Sequence, residues 1–214
     1  MSCCRQCEGL ENVFDDGTAK SDLEAYRREG PAKTTRLLLD HLRGAGVDGL
    51  TLLDIGGGVG AIQHELVASG VRATVDVDAS RAYLAAARSE AARRGYAERA
   101  QYHHGNFVEL APQIEAADIV TLDRVICCFP DMPGMVRHSA ERAKRFYGLI
   151  YPRDTWYTRT ADRIGNAFLS LIRNKYHFFV HPAAEVDALV QRQGLTLRYH
   201  RNASFFWQVL VYER

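Results

Sequence analysis

Leu52-Leu53-Asp54-Ile55-Gly56-Gly57-Gly58-Val59-Gly60 is the stretch on which the fold turns. The apolar run from Leu50 to Ile55 ends in glycines, which predicts a buried parallel strand. Glycines at that point let the chain turn sharply from strand into helix. They also let a ligand touch the backbone with no side chain in the way. Outward from this stretch, Ala61–Ser69 reads as a helix with Gly70 at its end and Arg72–Val77 as a strand. Ser80–Arg94 is an Ala-rich helix closed by Gly95. Further strands are predicted at Ala100–His104, Ala117–Leu122 and Phe146–Tyr151. Strands alternating with helices give an α/β, doubly wound, Rossmann-like sheet, mostly parallel and covered on both faces. Leu195–His200 and Phe206–Tyr212 are separated only by a short turn, so they form an antiparallel hairpin.

Asp78 ends the second strand, about 20 residues after the glycines, where a carboxylate at the switch point can accept both hydroxyls of a ribose. Asp76 lies on the same side of that strand. Asp78 is preferred because it stands at the strand end. Gly56, Gly58 and Ala61 also satisfy the dinucleotide pattern G-x-G-x-x-A, so an NAD-dependent oxidoreductase is a rival reading. Asp54 separates the two. A buried carboxylate there repels a pyrophosphate but pairs, directly or through water, with the ammonium of an amino acid. Asn106, at the end of the third strand, can hydrogen-bond an adenine edge.

The succession of hydrophobic-Asp54-hydrophobic-Gly56-x-Gly58-x-Gly60, Val77-Asp78-Ala79-Ser80, Gly105-Asn106-Phe107 and a terminal hairpin resembles the class I S-adenosylmethionine-dependent methyltransferases. The resemblance covers about residues 34–214. It implies a seven-stranded sheet whose last strand is antiparallel, with S-adenosylmethionine as cofactor. It implies that Asp54, Gly56, Gly58 and Gly60 hold the methionine end, that Asp78 holds the ribose, and that Asn106 and Phe107 flank the adenine. Members often carry Asp where Asn106 stands. Phe14-Asp15-Asp16-x-x-Ala19 is in addition similar to the opening of magnesium-protoporphyrin O-methyltransferases.

Ligands of open parallel sheets lie beyond the carboxyl ends of the strands. Asp123-Arg124 through Cys127-Cys128 and Tyr151-Pro152-Arg153-Asp154 should therefore line the side of the methyl acceptor, a small molecule. Methyl transfer is an in-line displacement in which the protein mainly positions the acceptor and excludes water. A neutral oxygen or nitrogen acceptor needs a base, for which Asp123, His177 and His181 are candidates (His138 is a weaker one). A thiolate or carboxylate needs none. Asp123 is also placed against the cofactor. Arg124 and Arg153 suit an anionic acceptor, with Cys127 and Trp156 beside them.

Residues 1–49 read as a helical cap with a cysteine cluster, and residues 50–214 as the methyltransferase domain. Ser21 caps a helix over Asp22–Glu29, ended by Gly30-Pro31. Thr34 or Thr35 opens a second, with Leu37, Leu38, Leu39 and Leu42 as its apolar face and Gly44 as its stop. A cap insertion is expected over about residues 156–182, with Ile164, Phe168, Leu171 and Ile172 on one helical face. Cys3-Cys4-x-x-Cys7 has spacing that suits a soft metal such as zinc, its fourth ligand coming from Cys127 or Cys128. The same cysteines keep a metalloid or thiol methyltransferase open as an alternative. The five cysteines do not pair as a secreted framework, and no apolar leader or spanning run appears, so a cytoplasmic protein without a membrane span is expected. The net charge of +1 argues against nucleic acid as partner. The charge is uneven: residues 1–136 carry 14 Lys/Arg and 20 Asp/Glu, whereas residues 137–214 carry 13 and 6.

Overall fold

The computed structural model describes residues 13–171 and 177–214. Cys3, Cys4, Cys7 and Ile172 lie outside the described residues, as do the side chains of Phe168 and Leu171. Seven strands form one sheet: β1 (Thr51–Ile55), β2 (Ala73–Asp78), β3 (Ala100–His104), β4 (Ala117–Asp123), β5 (Ala143–Pro152), β6 (Thr196–Asn202) and β7 (Trp207–Glu213). Their order is β3-β2-β1-β4-β5-β7-β6. Strands β1 to β5 are parallel, and β7 runs antiparallel to both β5 and β6. The seven-stranded, mostly parallel sheet with its terminal hairpin is thus the expected one. The strand order reverses between β1 and β4, which opens a crevice at their carboxyl ends. The glycine loop leaves β1 at that crevice.

Helices α1 (Asp16–Glu29), α2 (Lys33–Ala45), α3 (Ala61–Ala68), α4 (Arg81–Arg93), α5 (Phe107–Leu110), α6 (Met132–Glu141), α7 (Trp156–Leu171) and α8 (Ala183–Arg192) surround the sheet. Strand alternation divides the apolar side chains between two cores. Leu52, Ile119, Phe146 and Ile150 pack with Leu38, Leu39 and Leu42 of α2 and Ile62 and Leu66 of α3. Leu53, Val120, Tyr147 and Leu149 pack on the other face with Met135 and Val136 of α6 and Val186 and Val190 of α8. Asp54, two residues beyond Leu52, therefore faces the α2–α3 side. A third cluster, Ala19, Leu23, Tyr26, Val59 and Tyr83, ties α1 to α4 and to the glycine loop.

Two helix boundaries differ from the sequence reading. Helix α1 begins at Asp16, not Asp22, because the Asp15 carboxylate accepts from the Thr18 N–H at 2.9 Å and caps the helix a turn and a half ahead of Ser21. Helix α2 begins at Lys33 and runs through Gly44. It stops at Gly46, whose φ of 86° is the left-handed conformation that glycine adopts without cost. Arg27 of α1, together with Arg93 and Arg94, closes on the buried Glu90 carboxylate at 2.5–2.9 Å, and their hydrogen bonds hold it well below the usual range. That network fastens α1 over α4. Among the described residues no helix is long and apolar enough to cross a membrane.

Candidate active site

A cavity of about 510 Å³ opens in the crevice. Its wall brings together Asp54, Gly56, Gly58, Asp78, Asn106, Phe107, Asp123 and Arg124, along with Cys128 and residues of α1 and α2. Gly60 stands just behind the wall, in a left-handed conformation at the start of α3. Cys127 is buried behind Cys128, with the two sulfurs 3.8 Å apart. The structure does not bring His177, His181, Arg153 or Trp156 to this cavity. His181 Nε2 lies 2.8 Å from the Ile126 carbonyl. Arg153 donates to the Ser204 and Phe205 carbonyls. Trp156 is 79% exposed at the start of α7. Arg153 and Trp156 follow the end of β5, and His177 and His181 lie in the segment expected to cap the acceptor; none of the four lines the described wall.

The glycine loop needs its glycines for distinct reasons. Gly56 (φ 64°) donates its N–H to the Val77 carbonyl at 2.8 Å, and a Cβ there would lie 2.5 Å from Val125 Cγ2. Gly58 (φ 58°) has nothing within 4 Å of its would-be Cβ, so bare backbone faces the cavity. His64 braces the loop from below. Its Nε2 pairs with the Val59 carbonyl at 2.8 Å and its Nδ1 with the Tyr96 hydroxyl. Burial pushes its pKa down to about 4, so the ring is neutral at pH 7, with one nitrogen donating and the other accepting.

Acids dominate the floor. Asp78 accepts from the N–H groups of Gly58 at 3.0 Å and Ser80 at 2.7 Å, which ties the glycine loop to the end of β2. Asp54 accepts from the Thr121 hydroxyl at 2.7 Å through one oxygen, and its other oxygen, Oδ2, has no hydrogen-bond partner. Burial pushes the carboxyls of Asp54, Asp78 and Asp123 above the ordinary range. At the end of β4, Asp123 accepts from the Thr35 hydroxyl at 2.5 Å. Arg124 is the one described non-glycine residue in the left-handed region (φ 61°). Its guanidinium donates to the Thr34 hydroxyl at 2.7 Å, lies 3.4 Å from Asp123 and stacks over the Trp207 ring. The 3.4 Å approach is an ion pair without hydrogen-bond alignment, because Arg124 Nε and Asp123 Oδ1 are both without a partner.

Residues 47–175 match the family model of a methyltransferase domain. The chain belongs to that family. It is an S-adenosylmethionine-dependent methyltransferase. No curated protein matches this methyltransferase in sequence. Its fold is similar to that of magnesium protoporphyrin IX methyltransferase (ChlM) from Synechocystis PCC 6803. The form with bound S-adenosylmethionine gives a TM-score of 0.69 at 15% identity, over 100% of this chain and 99% of that one. The form with bound S-adenosylhomocysteine gives 0.64 at 17% identity, over 95% and 85%. An O-methyltransferase family protein from Burkholderia thailandensis gives 0.71 at 18% identity; the methyltransferase aligns over 95% of its own length and spans 62% of that protein. At such identities these likenesses establish the fold.

The residues present fit the cofactor. The open backbone at Gly58 offers contacts for a ligand, and Asp54 stands in the same wall. A floor of buried acids suits a ligand that carries a sulfonium and an ammonium, and it would repel a dinucleotide pyrophosphate. Several wall residues escaped the sequence reading. Phe14, Asp22 and Tyr26 reach the cavity from α1 and its lead-in, and the Tyr83 hydroxyl donates to Asp22 at 2.5 Å. The only signal for them was Phe14-Asp15-Asp16 ahead of the first helix. Thr34 and Thr35 read as helix openers, not as the partners of Arg124 and Asp123.

Proposed function

We propose that this methyltransferase acts on a small acidic acceptor held by Arg124. In this reading Asp54 holds the ammonium of the methionine end, Asp78 the ribose hydroxyls, and Asn106 and Phe107 flank the adenine. Bound S-adenosylmethionine supplies a methyl group already activated on a sulfonium. The task left to the chain is to orient the acceptor and keep water out. The observation that carries the reading is the guanidinium of Arg124, set in the cavity wall by a left-handed backbone, Thr34, Asp123 and Trp207. A preorganised guanidinium binds a carboxylate or phenolate in a fixed orientation. A carboxylate acceptor needs no base. For a hydroxyl acceptor Asp123 is the base in this wall, its proton affinity raised by burial.

Methyl transfer to a panel of carboxylate- and phenol-bearing small molecules and their neutral counterparts tests this. Acidic members should be methylated. Arg124→Ala should lower kcat/KM for them by about 100-fold, with S-adenosylhomocysteine affinity unchanged. Methylation of neutral members alone would refute it, as would a variant that loses cofactor affinity with an unchanged acceptor KM.

A second reading, a thiophilic metalloid acceptor, is favoured by one feature: the thiols of Cys127 and Cys128 lie 3.8 Å apart and Cys128 reaches the cavity. Adjacent reduced thiols suit the cytoplasm. Methylation of arsenite, lost in Cys128→Ser, would select this reading over the first.

A further inference from the structure

The register of the sheet builds a polar row across its middle. Thr121 of β4 lies beside Asp54 of β1, Asp54 beside Asp76 of β2, and Asp76 beside Tyr102 of β3. Neighbouring strands are about 4.8 Å apart, so the two central acids stand shoulder to shoulder. Their outer oxygens are satisfied: Thr121 donates to Asp54 Oδ1 and Gln63 Nε2 to Asp76 Oδ2, both at 2.7 Å. Their inner oxygens, Asp54 Oδ2 and Asp76 Oδ1, have no hydrogen-bond partner. Both point at the same spot beneath Gly57, lying 3.0 and 2.8 Å from where a Cβ of that residue would be. Asp54 and Asp76 are both fully buried. Two ionised carboxylates cannot share such a spot without a large repulsion, whereas one proton between them removes it.

The surroundings reinforce this. The charged groups facing the pair are further acids, Asp78 at the end of β2 and Asp123 at the end of β4. Helix α3 offers the neutral Gln63, and β3 the tyrosine hydroxyl of Tyr102. The Gly57 N–H gives Asp76 a weak counterweight. Only Asp54 of the two reaches the cavity; Asp76 lies behind it.

We propose that Asp54 and Asp76 hold one proton between them in the ligand-free protein and release it when the cofactor's ammonium docks on Asp54. Asp76 is then a positioning residue: it sets the charge that Asp54 presents, and it makes cofactor binding proton-linked. The idea rests on the assignment of Asp54 to the ammonium made above. The balance is simple. The ammonium takes the place of the shared proton as counter-charge, and that proton passes to solvent. Burial pushes Asp54 up to about 8, so the linkage falls in the range pH 6–8. Affinity for the ammonium-bearing ligand rises with pH across that range, by up to about tenfold per unit for one whole proton, and levels off above it.

Calorimetric titration with S-adenosylhomocysteine, at pH 6, 7 and 8 and in two buffers of different ionisation enthalpy, counts the protons. Wild type should release close to one proton at pH 7. Asp76→Asn should release fewer. Its amide can accept from Gln63 and donate to Asp54, which favours the ionised form of Asp54, so affinity rises less steeply from pH 6 to 8 than in wild type. The difference between the two proteins cancels any titration of the ligand itself. Binding by wild type with no proton released would overturn the proposal while leaving the site assignment standing, and so would equal release by both proteins. No binding by wild type at any pH would overturn both. Should Asp76→Asn fail to fold, the wild-type proton count alone decides.

Discussion

Asp78→Ala is expected to weaken S-adenosylhomocysteine binding by about 100- to 10,000-fold while the protein stays folded. The carboxylate stands at the end of β2, already fixed by the N–H groups of Gly58 and Ser80, with lone pairs left for two ribose hydroxyls. Hydrogen bonds to a charged group are worth roughly 1.5–3 kcal/mol each, which sets the size of the loss. Two effects oppose each other in the ligand-free protein. The variant loses two backbone contacts that steady the glycine loop. It also removes a buried carboxylate from beside Asp54 and Asp76, whose charge is part of what pushes those two above the ordinary range. The melting temperature should therefore move by only a few degrees. Calorimetry and thermal unfolding read the two quantities separately. A variant that binds like wild type would remove Asp78 from the ribose.

Gly56→Ala is expected to act on stability as strongly as Asp78→Ala acts on binding. A left-handed alanine costs about 1–2 kcal/mol. Its Cβ would in addition be driven to 2.5 Å from Val125 Cγ2, and Val125 packs against the core under β4. Overpacking of that kind costs roughly 1–3 kcal/mol. The sum of about 2–5 kcal/mol corresponds to a melting temperature lower by roughly 5–15 °C for a domain of this size. Gly58→Ala is the control. It has a similar φ but open space around its Cβ, so it should lose only the left-handed strain of about 1–2 kcal/mol. Its side chain would instead intrude on the cavity and weaken cofactor binding. Equal melting temperatures for the two variants would show that Val125 yields and that contact with it is not what fixes Gly56.

Much of this site was legible because glycine and strand patterns are local signals. The run from Leu52 to Gly60 marks a strand, a left-handed turn and a helix start within nine residues, and Asp78 follows from the position where the next strand ends. The helices ahead of β1 were less legible. Asp15 and Ser21 are both good capping residues, and only the packing of Ala19 under Val59 and Tyr83 decides for the earlier start. Gly44 and Gly46 are both stop signals, and only the backbone shows which one turns left-handed. Thr35 and Tyr26 reach the cavity, and Thr34 reaches Arg124, through tertiary packing, which leaves no periodic trace. Asp76 is instructive in another way. Alternation put it on the same side as Asp78, yet its partner was invisible until the register of β1 against β2 set it beside Asp54. The basic residues of 137–214 contribute none of the described cavity wall, whose one arginine, Arg124, comes from the acidic half.

The crystal structure of the complex with S-adenosylhomocysteine tests the central claim most directly. It should show the ammonium on Asp54, the ribose hydroxyls on Asp78, the adenine between Asn106 and Phe107, and the sulfur facing the space between Asp123 and Arg124. A ligand bound away from the Gly56–Gly58 backbone, or one whose ribose lies off Asp78, would contradict it.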